Sequence, residues 1–363
     1  MPQHQPRSVL VTGGAGFIGA NYLLRAVPRH PDVQFVNLDA LTYAGNLQTL
    51  AAVEDAPNYT FVHGDITDAD LISRLFDEHA FSSVVHFAAE SHVDRSIEDP
   101  LAFVRTNVMG TATLLDAARR AWIGTEKGAP APEAGHYRFH HVSTDEVFGA
   151  LQPGDPEFCE TTPYDPRSPY SASKAGSDHL VQAYAHTFGL PITMSNCSNN
   201  YGPFQFPEKL VPVMILKAKR LEPLPVYGAG ENVRDWLHVQ DHADAIDLVL
   251  HDGKDGETYC VGGRAERTNL DVVHTLCDLV DEEMGREPGT AREKISFVTD
   301  RPGHDFRYAI DCGKIEEALG WTPARSFEEG MRETVRWYLQ NEDWLAAVED
   351  ESYRDYLARH YGQ

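Results

Sequence analysis

The stretch SVLVTGGAGFIG, residues 8–19, predicts the start of the fold. Its first five residues form an apolar, β-branched run that is typical of a buried strand. Glycines follow at a spacing of three, at Gly13, Gly16 and Gly19, and a helical pattern begins at Asn21. Glycine permits a sharp turn and a close approach to a pyrophosphate, and a helix N-terminus offers free N–H donors to the anion. The stretch therefore predicts a strand, a dinucleotide-binding turn and a helix.

The same alternation of strand and helix continues as far as Cys197. Further strands are predicted at residues 33–38, 59–62, 83–87, 136–143 and 191–196, and helices at residues 68–78, 101–121 and 168–188. Strands that alternate with helices pair in parallel. We therefore predict the α/β class, with a Rossmann-type doubly wound parallel sheet of six strands. Residues 124–135 are rich in Gly, Ala and Pro, which predicts a surface loop.

Proline residues end the regular alternation beyond Cys197. At about 150 residues per domain, a chain of 363 residues suits two domains. A helix predicted at residues 238–250 returns to the sheet, so the two domains interleave. We expect a dinucleotide-binding domain made of residues 1–197 and about 236–258, and a smaller C-terminal substrate-binding domain made of residues 198–235 and 259–363.

The charge balance excludes two classes of partner. The chain has 31 Lys and Arg against 55 Asp and Glu, a net charge of −24. Nucleic acids and anionic membranes are bound by basic stripes or clusters, and the sequence has neither. The five cysteines are scattered, which predicts free buried thiols. With no secretory signal and no apolar run of membrane-spanning length, we predict a cytoplasmic protein.

Asp39 supports the dinucleotide interpretation, because it ends the second predicted strand 20 residues after Gly19. A carboxylate there accepts hydrogen bonds from ribose hydroxyls and repels a 2′-phosphate, so we predict NAD rather than NADP. Asp65 and Ile66 follow the third strand and are expected to flank the adenine. Ala88 and Ala89 follow the fourth strand and are expected along the middle of the cofactor.

A second group of residues at the same edge of the sheet suggests chemistry. The segment STDE, residues 143–146, follows a predicted strand, and Tyr170 and Lys174 lie four apart on the next helix. Residues four apart share one helix face, so the ammonium of Lys174 is expected to lower the pKa of the Tyr170 phenol. Such a phenolate can take a proton from a sugar hydroxyl while the nicotinamide takes the hydride.

With these motifs in place, the chain resembles the extended short-chain dehydrogenase/reductase family, and within it the dTDP-glucose 4,6-dehydratases. The matching segments cover nearly the whole chain: the glycine turn, DALTYAGN (39–46), FAAESHVDRS (87–96), STDE (143–146), YSASK (170–174), NCSNNYGP (196–203), PEKL (207–210), RDW (234–236) and DRPGHD (300–305). The resemblance implies a hydro-lyase of the cytoplasm that oxidises C4 of dTDP-glucose, eliminates water across C5 and C6, and returns the hydride to C6. NAD is thereby regenerated in place.

The resemblance also implies roles for residues. It makes Glu146 the base at C5, Asp145 the acid at C6, and Thr144 a hydrogen-bond partner of the C4 oxygen. An elimination needs one carboxylate and one carboxylic acid side by side, and like charges in proximity separate two pKa values. With Tyr170 and Lys174 these are the five predicted catalytic residues.

Two sets of binding residues follow. The predicted NAD-binding residues are Gly13, Gly16, Phe17, Ile18, Gly19, Asp39, Leu41, Thr42, Asp65, Ile66, Ala88, Ala89, Ser91, Thr106, Tyr170, Lys174 and Asn196. The predicted nucleotide-sugar residues are Ser91, His92, Thr144, Asn199, Glu208, Lys209, Leu210, Pro225, Tyr227, Arg234, Asn269, Arg301 and His304. Arg234 and Arg301 suit the pyrophosphate because a guanidinium offers a planar donor fork.

Several alternatives stay open at the level of sequence. A UDP-sugar dehydratase, a nucleotide-sugar 4-epimerase or a decarboxylase shares the glycine turn and the Tyr/Lys pair, but an epimerase needs no acid/base pair for C5 and C6. A more remote alternative is a non-catalytic NAD-binding regulatory protein. His238 and His242, followed by Asp244, lie on one predicted helix, yet no third ligand is evident and we predict no metal. The family implies a homodimer formed by the helices near residues 101–121 and 168–188.

Overall fold

The structure is a computed structural model, and it describes residues 3–125, 135–300 and 305–348. The strands are β1 Ser8–Thr12, β2 Gln34–Asp39, β3 Tyr59–His63, β4 Ser83–His86, β5 Arg138–Thr144, β6 Ile192–Cys197, β7 Asn199–Tyr201, β8 Leu224–Tyr227, β9 Val233–His238, β10 Thr258–Val261, β11 Glu266–Thr268 and β12 Ile295–Val298. The α-helices are α1 Phe17–Arg29, α2 Ala69–His79, α3 Val93–Glu98, α4 Pro100–Phe103, α5 Thr111–Trp122, α6 Pro169–Phe188, α7 Leu210–Arg220, α8 Val239–Asp252, α9 Asn269–Glu283, α10 Gly313–Leu319, α11 Phe327–Gln340 and α12 Glu342–Val348.

Seven parallel strands form the main sheet, in the order β3-β2-β1-β4-β5-β6-β10. The order reverses between β1 and β4, which opens a crevice at the carboxyl ends of these strands where ligands of such sheets bind. The predicted fold class is confirmed. The seventh strand, β10, was not predicted, because it is four residues long and lies beyond the prolines that end the regular alternation.

Helices cover both faces of this sheet. The apolar residues of α1 and α8 pack on one face of β1 and β2, and those of α2, α5 and α6 pack on the other face. Strands buried on both faces read as continuous apolar runs, as in residues 8–12. The predicted return of a helix at 238–250 corresponds to α8, which packs against α1.

The remaining elements form a smaller region with its own core. Strands β7, β9 and β11 make a three-stranded sheet, and β8 pairs with β12. Helices α7, α9 and α11 pack together over an apolar cluster that includes Ile215, Val272 and Val335. The predicted domain boundaries stay a prediction, and β10 begins at the predicted boundary, residue 258, and extends past it.

The predicted helix over 101–121 is divided in the structure. Helix α4 is followed by a π-helical segment, Val104–Gly110, and only then by α5. The predicted loop at 124–135 lies mostly outside the described residues. All five cysteines are free, and four of them are buried. Within the described ranges, the helices are all too short or too polar to cross a membrane.

Candidate active site

The glycine turn after β1 has the geometry that a dinucleotide site requires. Gly13 has φ +73°, and a Cβ added to it would lie 2.6 Å from the backbone nitrogen of Ala88. A Cβ on Gly19 would lie 2.4 Å from the Gly13 carbonyl oxygen. Asp39, at the end of β2, accepts hydrogen bonds from the backbone N–H groups of Ala15 at 2.9 Å and Leu41 at 2.8 Å. Side chains are thus excluded where the turn must pass closest to a ligand.

A cavity of about 280 Å³ opens beside this turn. Nine of the predicted NAD-binding residues line it: Gly13, Gly16, Phe17, Ile18, Gly19, Ala89, Ser91, Tyr170 and Lys174. The other eight lie outside its lining, mostly at the carboxyl ends of the sheet strands. Asp39, Leu41 and Thr42 are at the end of β2, Asp65 and Ile66 follow β3, Ala88 follows β4, Asn196 is in β6, and Thr106 is in the π-helical segment. The cavity and these strand ends together fit an extended dinucleotide.

Helix α6 is positioned so that Tyr170 falls in its first turn. Ser168 caps the helix by accepting a hydrogen bond from the Ser171 backbone N–H, and Pro169 occupies the first position, where its missing N–H costs nothing. Tyr170 therefore lies beside the end of β5, and Lys174 lies one turn further along. The Lys174 ammonium donates to the Val142 carbonyl of β5 at 2.9 Å.

The three residues that follow Ser143 are gathered by a single 3₁₀ turn, Asp145–Phe148. The Thr144 hydroxyl caps this turn by accepting from the Glu146 backbone N–H at 3.3 Å, and it donates to Asp145 Oδ1 at 3.4 Å. The Thr144 hydroxyl is also hydrogen-bonded to the Tyr170 hydroxyl. All five predicted catalytic residues line the same cavity.

Asp145 has the properties of an acid. Burial raises the pKa of its carboxyl well above the usual value, the charge of Glu146 raises it further, and Arg234 opposes the shift. The sequence predicted that Glu146 would separate the two pKa values, and burial is the larger cause. Asp145 Oδ2 is buried and has no hydrogen-bond partner among the described residues. The raised pKa favours the protonated acid, and Oδ2 lies at the cavity without a partner in the described residues.

The expected pKa shift of Tyr170 is corrected by the structure. Burial and the charge of Glu146 raise the pKa of the Tyr170 phenol well above its usual value. The sequence analysis expected a lowered pKa because it considered Lys174 alone. The phenol is buried next to a carboxylate, which disfavours a second negative charge.

A second cavity of about 200 Å³ adjoins the first. It is lined by Glu146 and by ten of the predicted nucleotide-sugar residues: Ser91, His92, Asn199, Glu208, Lys209, Leu210, Pro225, Tyr227, Arg234 and Asn269. Ser91, Glu146 and Lys209 line both cavities, so the two are continuous. Thr144 lines the first cavity, whereas Arg301 and His304 lie outside the described residues.

Arg234 is fixed in the wall of the second cavity. Its guanidinium donates to the backbone carbonyls of Val233 at 2.7 Å and Asp305 at 2.9 Å, and it lies 4.3 Å from the centre of the Tyr308 ring. These contacts orient the guanidinium in the cavity wall. The electrostatic effect of Arg234 reaches Asp145, whose pKa it lowers.

Two buried residues of this region were missed by the sequence analysis. Asn107, in the π-helical segment, accepts from the Glu90 backbone N–H at 2.8 Å and donates to Ser173 Oγ at 2.8 Å. It ties the loop after β4 to α6, and nothing in the sequence signals the π-helical turn. Asp178 lies four residues after Lys174, so the helical spacing could have revealed it.

His238 and His242, which share one helix face in the sequence, make ordinary hydrogen bonds in the structure. His238 accepts from the Gln240 backbone N–H, and His242 is hydrogen-bonded to Asn200. Within the described part of the chain, three potential ligands converge at His30, Asp247 and His251 instead. The Asp247 carboxylate there already binds the His30 ring and the Arg29 guanidinium, so ion pairing accounts for this cluster.

The fold and the site together define an extended short-chain dehydrogenase/reductase. The glycine turn opens the crevice of the parallel sheet, and the buried Tyr170 and Lys174 lie beside the end of β5. The chain belongs to the family described as GDP-mannose 4,6 dehydratase, whose model matches residues 10–334.

Known proteins refine this assignment. The chain is 58% identical over 346 residues to a dTDP-glucose 4,6-dehydratase of Xanthomonas campestris pv. campestris. The alignment covers 95% of this chain and 97% of the relative. A crystal structure of a dTDP-glucose 4,6-dehydratase from Streptomyces venezuelae with NAD bound is 44% identical, covers 94% of this chain and 100% of its own, and has a TM-score of 0.84. A UDP-glucose 4-epimerase from Thermus thermophilus in complex with NAD is 29% identical, covers 92% and 99%, and has a TM-score of 0.79.

Proposed function

We propose that this chain is a hydro-lyase that converts dTDP-glucose into dTDP-4-keto-6-deoxyglucose and water. The observation that carries the proposal is the pairing of a buried Asp145, whose pKa is raised, with Glu146 next to Tyr170 in one cavity. A 4-epimerase has no use for an acid and a base at C5 and C6. The 58% identity to a dTDP-glucose 4,6-dehydratase over 95% of the chain supports the same substrate and reaction.

The glycine turn and the strand ends hold NAD in this proposal. Gly13, Gly16 and Gly19 admit the pyrophosphate to the N-terminus of α1, and Asp39 accepts the ribose hydroxyls. Asp39 has two backbone donors already, and each carboxylate oxygen can accept a further hydrogen bond. NAD held there would supply the acceptor for the C4 hydride and the donor of that hydride to C6, so no reduced cofactor would be released.

Tyr170 takes the proton of the C4 hydroxyl, and Thr144 positions that hydroxyl by a hydrogen bond. The raised pKa of Tyr170 means that its phenolate must be stabilised as it forms. Lys174 supplies the positive charge, since it lies on the same face of α6. Oxidation leaves a ketone at C4, which acidifies the hydrogen at C5.

The elimination then uses the two carboxyl groups. Glu146 takes the C5 proton, the electron pair of that bond forms the C5–C6 double bond, and the C6 oxygen leaves with the proton of Asp145 as water. When hydride reaches C6, C5 recovers a proton from Glu146. Before the next turnover, Tyr170 releases to the solvent the proton that it took from the C4 hydroxyl, and Asp145 takes up a proton from the solvent. The sum of these steps is the loss of one water molecule.

The second cavity holds the nucleotide of the substrate. Arg234 is assigned to the pyrophosphate, with Arg301 and His304 as further contacts on the segment after Asp300. Glu208 and Lys209 lie beside the thymine, and Tyr227 packs against the base. Lys209 donates to the Ser91 carbonyl at 3.2 Å, and this hydrogen bond links the second cavity to the loop after β4.

The direct test is to incubate the purified protein with dTDP-glucose or UDP-glucose without added NAD. We expect dTDP-glucose to yield a product lighter by one water molecule, and UDP-glucose to react more slowly. A product of unchanged mass would identify an epimerase. The Asp145→Asn/Glu146→Gln double variant is the matched control, which should keep NAD bound and lose dehydration.

We also propose that the protein works as a homodimer in the cytoplasm. Leu101 and Met109 are exposed by 70% and 58%, and Val104 between them is also exposed. They lie at the start of the divided helix for which the sequence predicts a dimer contact, and burying such side chains favours association. Light scattering during gel filtration tests this proposal. The Leu101→Glu/Met109→Glu variant should be monomeric, and a monomeric parent protein would contradict it.

A further inference from the structure

A fully buried carboxylate lies behind the proposed catalytic group. Asp178 of α6 is 0% exposed and follows Lys174 by one helical turn. Three side chains donate to it: His141 Nε2 at 3.0 Å, Ser143 Oγ at 2.7 Å and the Tyr164 hydroxyl at 3.0 Å. Two of these donors belong to β5, the strand whose end carries the residues 144–146.

Asp178 carries a negative charge in this cluster. Burial alone would raise the pKa of its carboxyl, but the hydrogen bonds from His141 and Ser143 and the charge of Lys174 lower the pKa below the usual value. Burial and the charge of Lys174 bring the pKa of His141 to about 4, so its ring is neutral at pH 7 and donates a proton from Nε2. The carboxylate is thus held by three neutral donors.

Lys174 needs a negative partner because it is buried. Burial lowers the pKa of the ammonium, and the charge of Asp178 is the largest of the effects that raise this pKa. The direct hydrogen-bond acceptor, the Val142 carbonyl, is neutral. An ammonium without a counter-ion in such a place tends to lose its proton.

We propose that Asp178 is a positioning residue of the proposed dehydratase site: it keeps Lys174 protonated and holds the end of β5 through Ser143. This inference rests on the proposed function, since it assigns the charge of Lys174 a task in the reaction. One carboxylate thereby couples the charge of the Tyr170–Lys174 face to the position of the Thr144–Glu146 segment.

The other groups that face this cluster do not replace Asp178. From β4 and β5, burial lowers the pKa values of His86 and His141, so both rings are neutral at pH 7. From β6, burial raises the pKa of the Cys197 thiol to about 12. Tyr164 is packed against the His179 ring, and its own pKa is raised.

The charged residues of the outer helices act on groups other than Lys174. Asp116, Arg119 and Arg120 of α5 act on Tyr184, near the far end of α6. Arg95 of α3 pairs with Glu208. On the cavity side, Glu146 and Asp145 act on Tyr170. Among the described residues, Asp178 is therefore the anion that acts most strongly on Lys174.

The first test is the pH profile of kcat/KM for Asp178→Asn, which keeps the shape and removes the charge. Loss of a nearby negative charge lowers the pKa of Lys174, so we expect the alkaline limb to move down by about one pH unit or more. Tyr164→Phe is the matched control, because it removes one donor and no charge, and its limb should stay in place. An unmoved limb in Asp178→Asn would overturn the proposal.

The second test uses stability and needs no activity. Asp178→Asn should destabilise the parent protein strongly and the Lys174→Met variant much less, because only the parent keeps the unpaired ammonium. Folding of Asp178→Asn in the Met background but not in the parent would support the proposal. Equal destabilisation or failure to fold in both backgrounds would refute it. If the parent protein does not dehydrate dTDP-glucose, the proposed function fails. The comparison of stabilities in the two backgrounds still shows whether Asp178 pairs with Lys174.

Discussion

Replacing Asp145 by Asn tests the acid of the elimination by itself, because the substitution leaves the other residues of the site in place. The two side chains have nearly the same shape, and the carboxyl is 2% exposed. Its raised pKa favours the neutral acid, so the amide keeps the shape of that acid and removes its acidic proton. At the ordinary pKa of about 4, only about one carboxyl in a thousand would be protonated at pH 7. Burial of Asp145 therefore increases the fraction of the carboxyl that is available as an acid.

General acid catalysis of this kind contributes about 100- to 10,000-fold to a rate. We therefore expect kcat of Asp145→Asn to fall by that factor, which is about 3–5 kcal/mol of activation free energy. The C4 ketone should still form, and Glu146 should still exchange the C5 hydrogen. Mass spectrometry in heavy water should detect a sugar that keeps its C6 hydroxyl and gains deuterium at C5.

The same variant makes a prediction about stability. Below about pH 4 the carboxyl is protonated in both the folded and the unfolded chain. Above that pH only the unfolded chain releases the proton, so the parent protein loses about 1.4 kcal/mol of unfolding free energy per pH unit until the raised folded pKa is reached. Asp145→Asn should escape this loss. Full dehydration by the variant, or parallel stability curves across this pH range, would refute the assignment.

Three further predictions concern the walls of the site. Gly19→Ala should purify with little NAD, since the new Cβ would lie 2.4 Å from a backbone oxygen. Gly16→Ala should retain more NAD, because its Cβ would lie 3.3 Å from that oxygen. The absorbance of the bound cofactor measures the difference. Arg234→Ala should raise KM for dTDP-glucose about tenfold or more with a smaller effect on kcat, and an unchanged KM would remove its pyrophosphate role. Asn107→Ala should lower the unfolding free energy by about 1–2 kcal/mol, because it leaves half-buried Glu90 backbone groups unpaired, and urea titration will measure the change.

Sequence patterns predicted the parts of the fold that are local along the chain. The glycine turn, the strand-end carboxylate Asp39 and the Tyr170–Lys174 spacing each lie within one strand, turn or helix, so periodicity and residue type suffice to predict them. The order of the elements then predicted the parallel sheet and the shared edge at which these residues meet.

The properties that failed to follow from the sequence depend on burial and on long-range packing. The pKa of Tyr170 rises because the phenol is enclosed and faces Glu146, which no helical spacing reveals. Strand β10 pairs with β6 across a gap of about 60 residues. The tie made by Asn107 requires a π-helical turn that ordinary helix patterns do not signal.

The most direct test of the proposed chemistry follows one hydrogen. Purified protein is given dTDP-glucose that carries deuterium at C4, with no added NAD, and the product is analysed by mass spectrometry and NMR. The account predicts a product that has lost one water molecule and carries the deuterium at C6. Deuterium that is lost to the solvent, or that stays at C4 in a sugar of unchanged mass, would contradict it.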